Sequence, residues 1–279
     1  MKFNNLEEII RTRKSIRTYE NKPLNVSDRE KIKTYIEQVI NENNPFNNKI
    51  KIYFLGGKED TDNERLGTYG VIKGTNTFLG VTVKNSEYAM ETVGYVFEKL
   101  VLLLTEMGIG TCWLAGTFNK DNFKNAMNIS DDEIFPIVCP IGYPSDKSSL
   151  VNKLFRKASN SDNRKPFNEL FFSNNFETPL TKDEASKYEF PLEMLRLAPS
   201  AANRQPWRVL KKDNNFHFYK EINPKSKYSY DLQKLDVGIG FCHFHLAVQE
   251  KELKGKFFIK NPNMETPNNL EYLFSWIAY

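Results

Sequence analysis

Three stretches of the chain carry residue types that could do chemistry. The first is Ala198-Pro199-Ser200-Ala201-Ala202-Asn203-Arg204-Gln205-Pro206-Trp207. Small residues crowd around Asn203 and Gln205, whose amides each offer a donor and an acceptor. Pro206 then stops any helix. Such a segment can bring its backbone close to a flat, polar-edged ligand and read that edge. Taken alone it could equally be a helix-ending loop with Trp207 in the core. The second stretch is Arg13-Lys14-Ser15-Ile16-Arg17, and a basic run of this kind is by itself most often solvated surface. The third is Met107 to Gly116, reading Met-Gly-Ile-Gly-Thr-Cys-Trp-Leu-Ala-Gly. It is the joint occurrence of all three that is specific.

Other reactive types offer less. His243 and His245 lie two apart on a helical stretch, do not share a face and have no third ligand nearby in sequence, so no metal is expected. Gly108-x-Gly110 follows a helix instead of opening one and lacks the third glycine of a dinucleotide fingerprint. Cys112 has no evident base and reads as a buried thiol. Asp132-Glu133 reads as an acidic pair at a helix N-terminus.

The 279 residues suffice for one large domain or two small ones, with 40% hydrophobic and 27% charged residues typical of a globular chain. The net charge of +4 is too small and too evenly spread to argue for nucleic acid. Three cysteines without a Cys-x-x-Cys pair suggest a reducing compartment. The N-terminal residues carry no apolar signal core and the longest apolar run, Leu100 to Leu104, is too short to span a bilayer. A cytoplasmic protein without membrane or nucleic-acid partners is expected.

Hydrophobic periodicity supplies the elements that must position these stretches. Helices are expected over 5–12, from a Ser27/Glu30 capping box to about Ile40, over 88–107, 121–127 and 190–197, and from about Leu235 to Leu253. Strands are expected at 50–55, 78–83, 111–114, 134–141, 208–212, 215–219, 255–260 and 272–278. Residues 58–69 and 145–165 read as polar loops. The helix over 88–107 is apolar nearly all round, the mark of a buried helix. Thr92-Val93-Gly94 and Asp236-Val237-Gly238 open two such helices, and Glu106 and Glu250 close them. Both pairs of landmarks are 144 residues apart (94 to 238, 106 to 250), which suggests an internal repeat.

Together the three stretches resemble the FMN-dependent nitroreductase family, whose Pro-Ser-x-x-Asn-x-Gln-Pro-Trp segment normally follows the basic motif within the first third of the chain. Its displacement here to residue 199 is similar to the tandem-duplicated subgroup, in which two subunits are fused. The resemblance implies an α+β, nitroreductase-like fold of two pseudo-symmetric halves, each a mixed sheet flanked by helices, over residues 1–175 and 176–279. It implies that Arg13, Lys14 and Arg164 hold the FMN phosphate, Ser15 the ribityl region, and Arg17 the pyrimidine edge. The backbone of Trp113, Leu114, Ala115 and Gly116 would pass flavin N5. Pro199, Ser200, Ala201, Asn203 and Gln205 would line the ring system. The basic motif has no counterpart around Thr181-Lys182-Asp183-Glu184, and the Pro-Ser segment none around 43–47, so one FMN per chain is implied. NAD(P)H is the implied co-substrate and a small electron-poor molecule the acceptor, in a monomer or weak homodimer. The alternative is a flavin-binding or sensor protein with little turnover.

Overall fold

The computed structural model describes residues 2–56, 66–146, 160, 163–222 and 230–279. Most of the loops expected at 58–69 and 145–165 lie outside them. The chain forms two compact units, one of Arg11–Ser159 and one of Met1–Ile10 with Asn160–Tyr279. Helix α1 spans Leu6–Thr12.

In the unit of Arg11–Ser159, α2 (Val26–Asn41) precedes the hairpin of β1 (Ile50–Leu55) and β2 (Phe78–Lys84). Then follow α3 (Ala89–Glu106), β3 (Gly110–Thr111), α4 (Lys120–Met127) and β4 (Glu133–Gly142). The four strands form one antiparallel sheet in the order β1-β2-β4-β3. Asn25, not Ser27, caps α2, because its side chain accepts from the Asp28 N–H and the helix has already begun at Val26. Asp132-Glu133 does not open a helix. Glu133 starts β4 and pairs with Lys51 across the sheet (2.8 Å), while Asp132 pairs with Lys84. Helix α3 is buried on every face over Ala89–Leu104, as its all-round apolar sequence requires. It ends at Gly108, whose φ of 74° suits a residue without Cβ.

In the other unit, β5 (Phe171–Ser173), α5 (Glu189–Leu197), β6 (Trp207–Lys212), β7 (Asn215–Glu221), α6 (Leu232–Glu250), β8 (Gly255–Phe258) and β9 (Leu270–Ala278) follow in sequence. The sheet order is β5-β6-β7-β9-β8. Without β5, this repeats the first unit: helix, hairpin, buried helix, two strands, with the last strand inserted beside the hairpin. The 144-residue offset seen in the sequence is thus a repeat of topology. Phe241 and Phe244 of α6 pack on Phe218 of β7, and Phe241 also on Phe274 of β9. Gly240 lets the Trp207 ring approach the helix, since a Cβ there would lie 3.2 Å from it.

β5 joins β6 in parallel, which makes this sheet mixed. The expected boundary at residue 175 differs from the observed division near 160 for this reason: the segment from Arg164 to Ser173 is fastened to elements of the second half. Among the described residues no helix is long and apolar enough to cross a membrane.

Candidate functional site

The basic motif is an extended segment running along β3. Ser15 bridges Thr111 in parallel, with the Ile16 N–H donating to Thr111 O at 2.8 Å. On its other side Lys73 N–H donates to Arg17 O (3.0 Å) and Tyr19 N–H to Lys73 O (2.8 Å). Tyr19 is buried and its hydroxyl donates toward Ile16 O and Pro140 O. The motif and the Gly108–Gly116 segment, 90 or more positions apart in sequence, are therefore neighbours. Gly110 makes the approach possible: a Cβ there would stand 2.9 Å from the Ile16 side chain, at its branched base, where it cannot swing aside. Gly110→Val should therefore force the motif off β3, lowering stability by about 1–3 kcal/mol. Thermal melts and FMN titration check this, and an unchanged melt would show that the close packing does not matter.

Behind the motif lies a charged group that the sequence reading missed. Glu98 sits on α3 at 0% exposure and accepts from Trp113 Nε1 (3.0 Å), whose ring packs edge-on against Phe97 at 5.0 Å. Burial lowers the pKa of Arg13, and the field of Glu98 opposes that shift. Arg13 remains a cation, and its Nε is buried without a hydrogen-bond partner. Ser15 hydrogen-bonds the Cys112 thiol, whose pKa burial raises. All three cysteines are free and buried. Lys14 and Gly116 are exposed; Arg17, Trp113 and Ala115 are half-buried and Leu114 is buried. Leu114 exchanges backbone hydrogen bonds with Val138, which fixes the Trp113–Gly116 backbone beside β4. The signal for Glu98 was a charge, with Glu91 and Lys99, inside a largely apolar helix.

In the other unit, the Ala198–Trp207 stretch forms a tight loop after α5. The Ser200 hydroxyl accepts from Gln205 N–H (2.8 Å), and Asn203 N–H donates to Ser200 O (3.0 Å). Ala202, Asn203 and Gln205 all have left-handed φ, of 51°, 55° and 49°. Such conformations cost about 1–3 kcal/mol each and persist only where the surroundings fix them. The surroundings here are the Arg164 arm. Arg164 donates from Nε and Nη2 to Leu197 O at the end of α5 and from Nη1 to Asn203 Oδ1 (2.9 Å). Lys165 N–H donates to Gln205 Oε1 (2.9 Å), and Asn203 Nδ2 donates to the carbonyls of residues 160 and 163. The two amides thus spend their hydrogen bonds on the loop and the arm, and Gln205 is 2% exposed. Ala201 is exposed, and Pro199 and Ser200 are half-buried. Beneath the loop, Asp236 Oδ1 accepts from Ala201 N–H at 3.0 Å.

The two expected histidines have structural partners. His243 Nδ1 lies 3.2 Å from Met194 O, and His245 stacks on Phe241. Thr181 and Glu184, in the stretch that lacks a second basic motif, form a capping box.

Against this geometry stand the known proteins. A family model described as "Putative TM nitroreductase" matches residues 5–248. This chain belongs to that nitroreductase family, an oxidoreductase class. A crystal structure from Thermotoga maritima, also described as a putative nitroreductase, covers 100% of this chain and 95% of its own, with 18% identity and a TM-score of 0.62. That likeness establishes the two-unit α+β fold. A nitroreductase family protein from Clostridium novyi NT matches 51% of this chain and 86% of its own (21% identity, TM-score 0.41). An FMN-dependent nitroreductase from Clostridium difficile R20291 matches 50% and 88% (15% identity, TM-score 0.40). No curated protein sequence matches the chain significantly.

The residues present suit an anionic flavin. A buried Arg13 nitrogen lacking a protein partner is a donor that a phosphate can satisfy, and Lys14 and Arg17 follow within four residues.

Proposed function

We propose that this protein is an FMN-dependent NAD(P)H oxidoreductase holding one flavin per chain. The observation that supports the reading is the docking of Arg13–Arg17 along Gly110–Thr111, which brings the basic motif beside the strand that leads into Trp113–Gly116. In this reading Arg13 and Lys14 bind the phosphate, and Ser15 binds the ribityl chain. Arg17 faces the pyrimidine edge, where a cation stabilises the reduced, anionic ring. Trp113, Leu114, Ala115 and Gly116 present backbone toward N5. In the other unit, Asn203 and Gln205 hold the Pro199, Ser200 and Ala201 loop in shape. Bound FMN would supply hydride exchange between NAD(P)H and an electron-poor acceptor such as a nitroaromatic or quinone, in ping-pong order. The capping box at Thr181–Glu184 supports a single flavin, since no second basic motif stands there. The buried free thiols fit a cytoplasmic protein.

Purified protein should be yellow, carry close to one FMN per chain, and oxidise NADH or NADPH with a nitroaromatic. A colourless protein that stays so after incubation with FMN overturns the proposal. A yellow protein without turnover supports flavin binding and overturns the enzymatic part.

A further inference from the structure

Glu98 lies at 0% exposure on α3, with Phe97 before it and Leu100, Val101 and Leu102 after it as fully buried. A carboxylate withdrawn from water loses its solvation and persists only where partners within the protein replace it. One such partner is the Trp113 indole, whose Nε1 donates to Glu98 Oε2 at 3.0 Å. The same ring packs edge-on against Phe97 at 5.0 Å, so two consecutive residues of one buried helix grip it. Leu114, the next residue, exchanges backbone hydrogen bonds of 2.9 and 3.0 Å with Val138 of β4. Ala115 and Gly116 follow with almost no side chain of their own to pack, so their course depends on where Trp113 and Leu114 are held. An apolar residue at position 98 could fill the same space, but it would leave the indole N–H without this acceptor. We infer that Glu98 is a positioning residue, whose bond to Trp113 Nε1 fixes the course of the Trp113–Gly116 backbone. The field of Glu98 also reaches Arg13, so one carboxylate acts on both the basic motif and the segment beside it.

The consequence for hydride transfer rests on the reading under Proposed function, whereas the consequence for the backbone does not. The experiment compares wild type with Trp113→Phe, Glu98→Ala and Glu98→Gln. Trp113→Phe keeps a ring against Phe97 and removes the donor, and it decides the matter if Glu98→Ala does not fold. Glu98→Gln keeps an oxygen that can accept from the indole. Without flavin, the readout is amide hydrogen exchange by NMR at Leu114–Gly116, with the β1–β2 hairpin as reference. A hydrogen bond to a charged group is strong enough to slow local opening about tenfold. Leu114 should therefore exchange about tenfold faster in Trp113→Phe and Glu98→Ala than in wild type. The hairpin amides of Trp113→Phe should keep wild-type rates, and Glu98→Gln should recover most of the protection. With FMN bound, flavin reduction by NADH or NADPH should slow about 10- to 100-fold in Trp113→Phe, since a misplacement of about 1 Å costs up to that much. Glu98→Gln should stay near the wild-type rate. Wild-type protection at Leu114 in Trp113→Phe, a loss shared equally by the hairpin, or no recovery in Glu98→Gln overturns the inference. A local loss at Leu114 with an unchanged reduction rate overturns its bearing on hydride transfer. The same local loss in a protein that binds no FMN supports the inference and overturns only the flavin reading.

Discussion

Replacing Arg13 with alanine should weaken FMN binding by about 10- to 150-fold at pH 7. A hydrogen bond between charged groups contributes about 1.5–3 kcal/mol, and each 1.4 kcal/mol is a factor of ten in affinity. Arg13 is the cation of the motif held most firmly: its Nε is buried, and it lies in the field of Glu98. Lys14 is exposed and solvated, so Lys14→Ala should cost only a few-fold. Arg13→Lys should recover part of the loss, because a point charge replaces a fork. Removing Arg13 also takes a favourable positive field away from the buried Glu98, which lowers stability as well as affinity. The pair Arg13→Gln and Glu98→Gln separates the two effects. The double variant should melt near the wild-type temperature and still bind FMN as weakly as Arg13→Gln. Isothermal titration of the apoprotein decides the matter. Equal, few-fold losses at Arg13 and Lys14 would sink the assignment of Arg13 as the phosphate anchor.

Asp236→Asn should stabilise the protein, and by an amount that depends on pH. The native carboxyl keeps its proton up to about pH 8, whereas in the unfolded chain it ionises near the ordinary 3.8. Between those values unfolding releases a proton. Wild-type stability therefore falls as pH rises through this window, by about 1.4 kcal/mol per unit from this group. Below pH 4 both states are protonated and the group contributes no slope; above pH 8 both are ionised and the deficit is constant. Asparagine has no such linkage. The two proteins should be equally stable near pH 4 and separate by on the order of 5 kcal/mol at pH 8. Urea unfolding at unit pH steps measures the gap. Parallel curves would mean that the carboxyl is ionised in the native state. A side chain whose neutral amide isostere is more stable at neutral pH is a candidate for retention on functional grounds.

Much of the fold was legible because it rests on local pattern. The all-round apolar run of α3 specified a buried helix. The strands expected at 208–212 and 215–219 are β6 and β7, paired as a hairpin. The 144-residue offset anticipated an internal repeat; the shared strand order came from the structure. Where local signals competed, the reading slipped. Ser27 and Glu30 form a plausible capping box, yet Asn25 had already claimed the helix start. Asp132-Glu133 has the composition of a helix N-terminus, yet Lys84 on the neighbouring β2 and Lys51 on β1 beyond it pair with it at the start of a strand.

By itself the sequence determined the residue types that serve an anionic, polar-edged ligand, the helix and strand periods, and the repeat, because each is written in short-range spacing. Only the tertiary structure decided that Arg13–Arg17 lies along Gly110–Thr111, that the amides of Asn203 and Gln205 serve the Arg164 arm, and that Glu98 and Asp236 stand buried behind their loops. Those facts depend on which distant segments pack together and on how deeply a charge is withdrawn from water. Neither quantity has a signature in the spacing of residues along the chain.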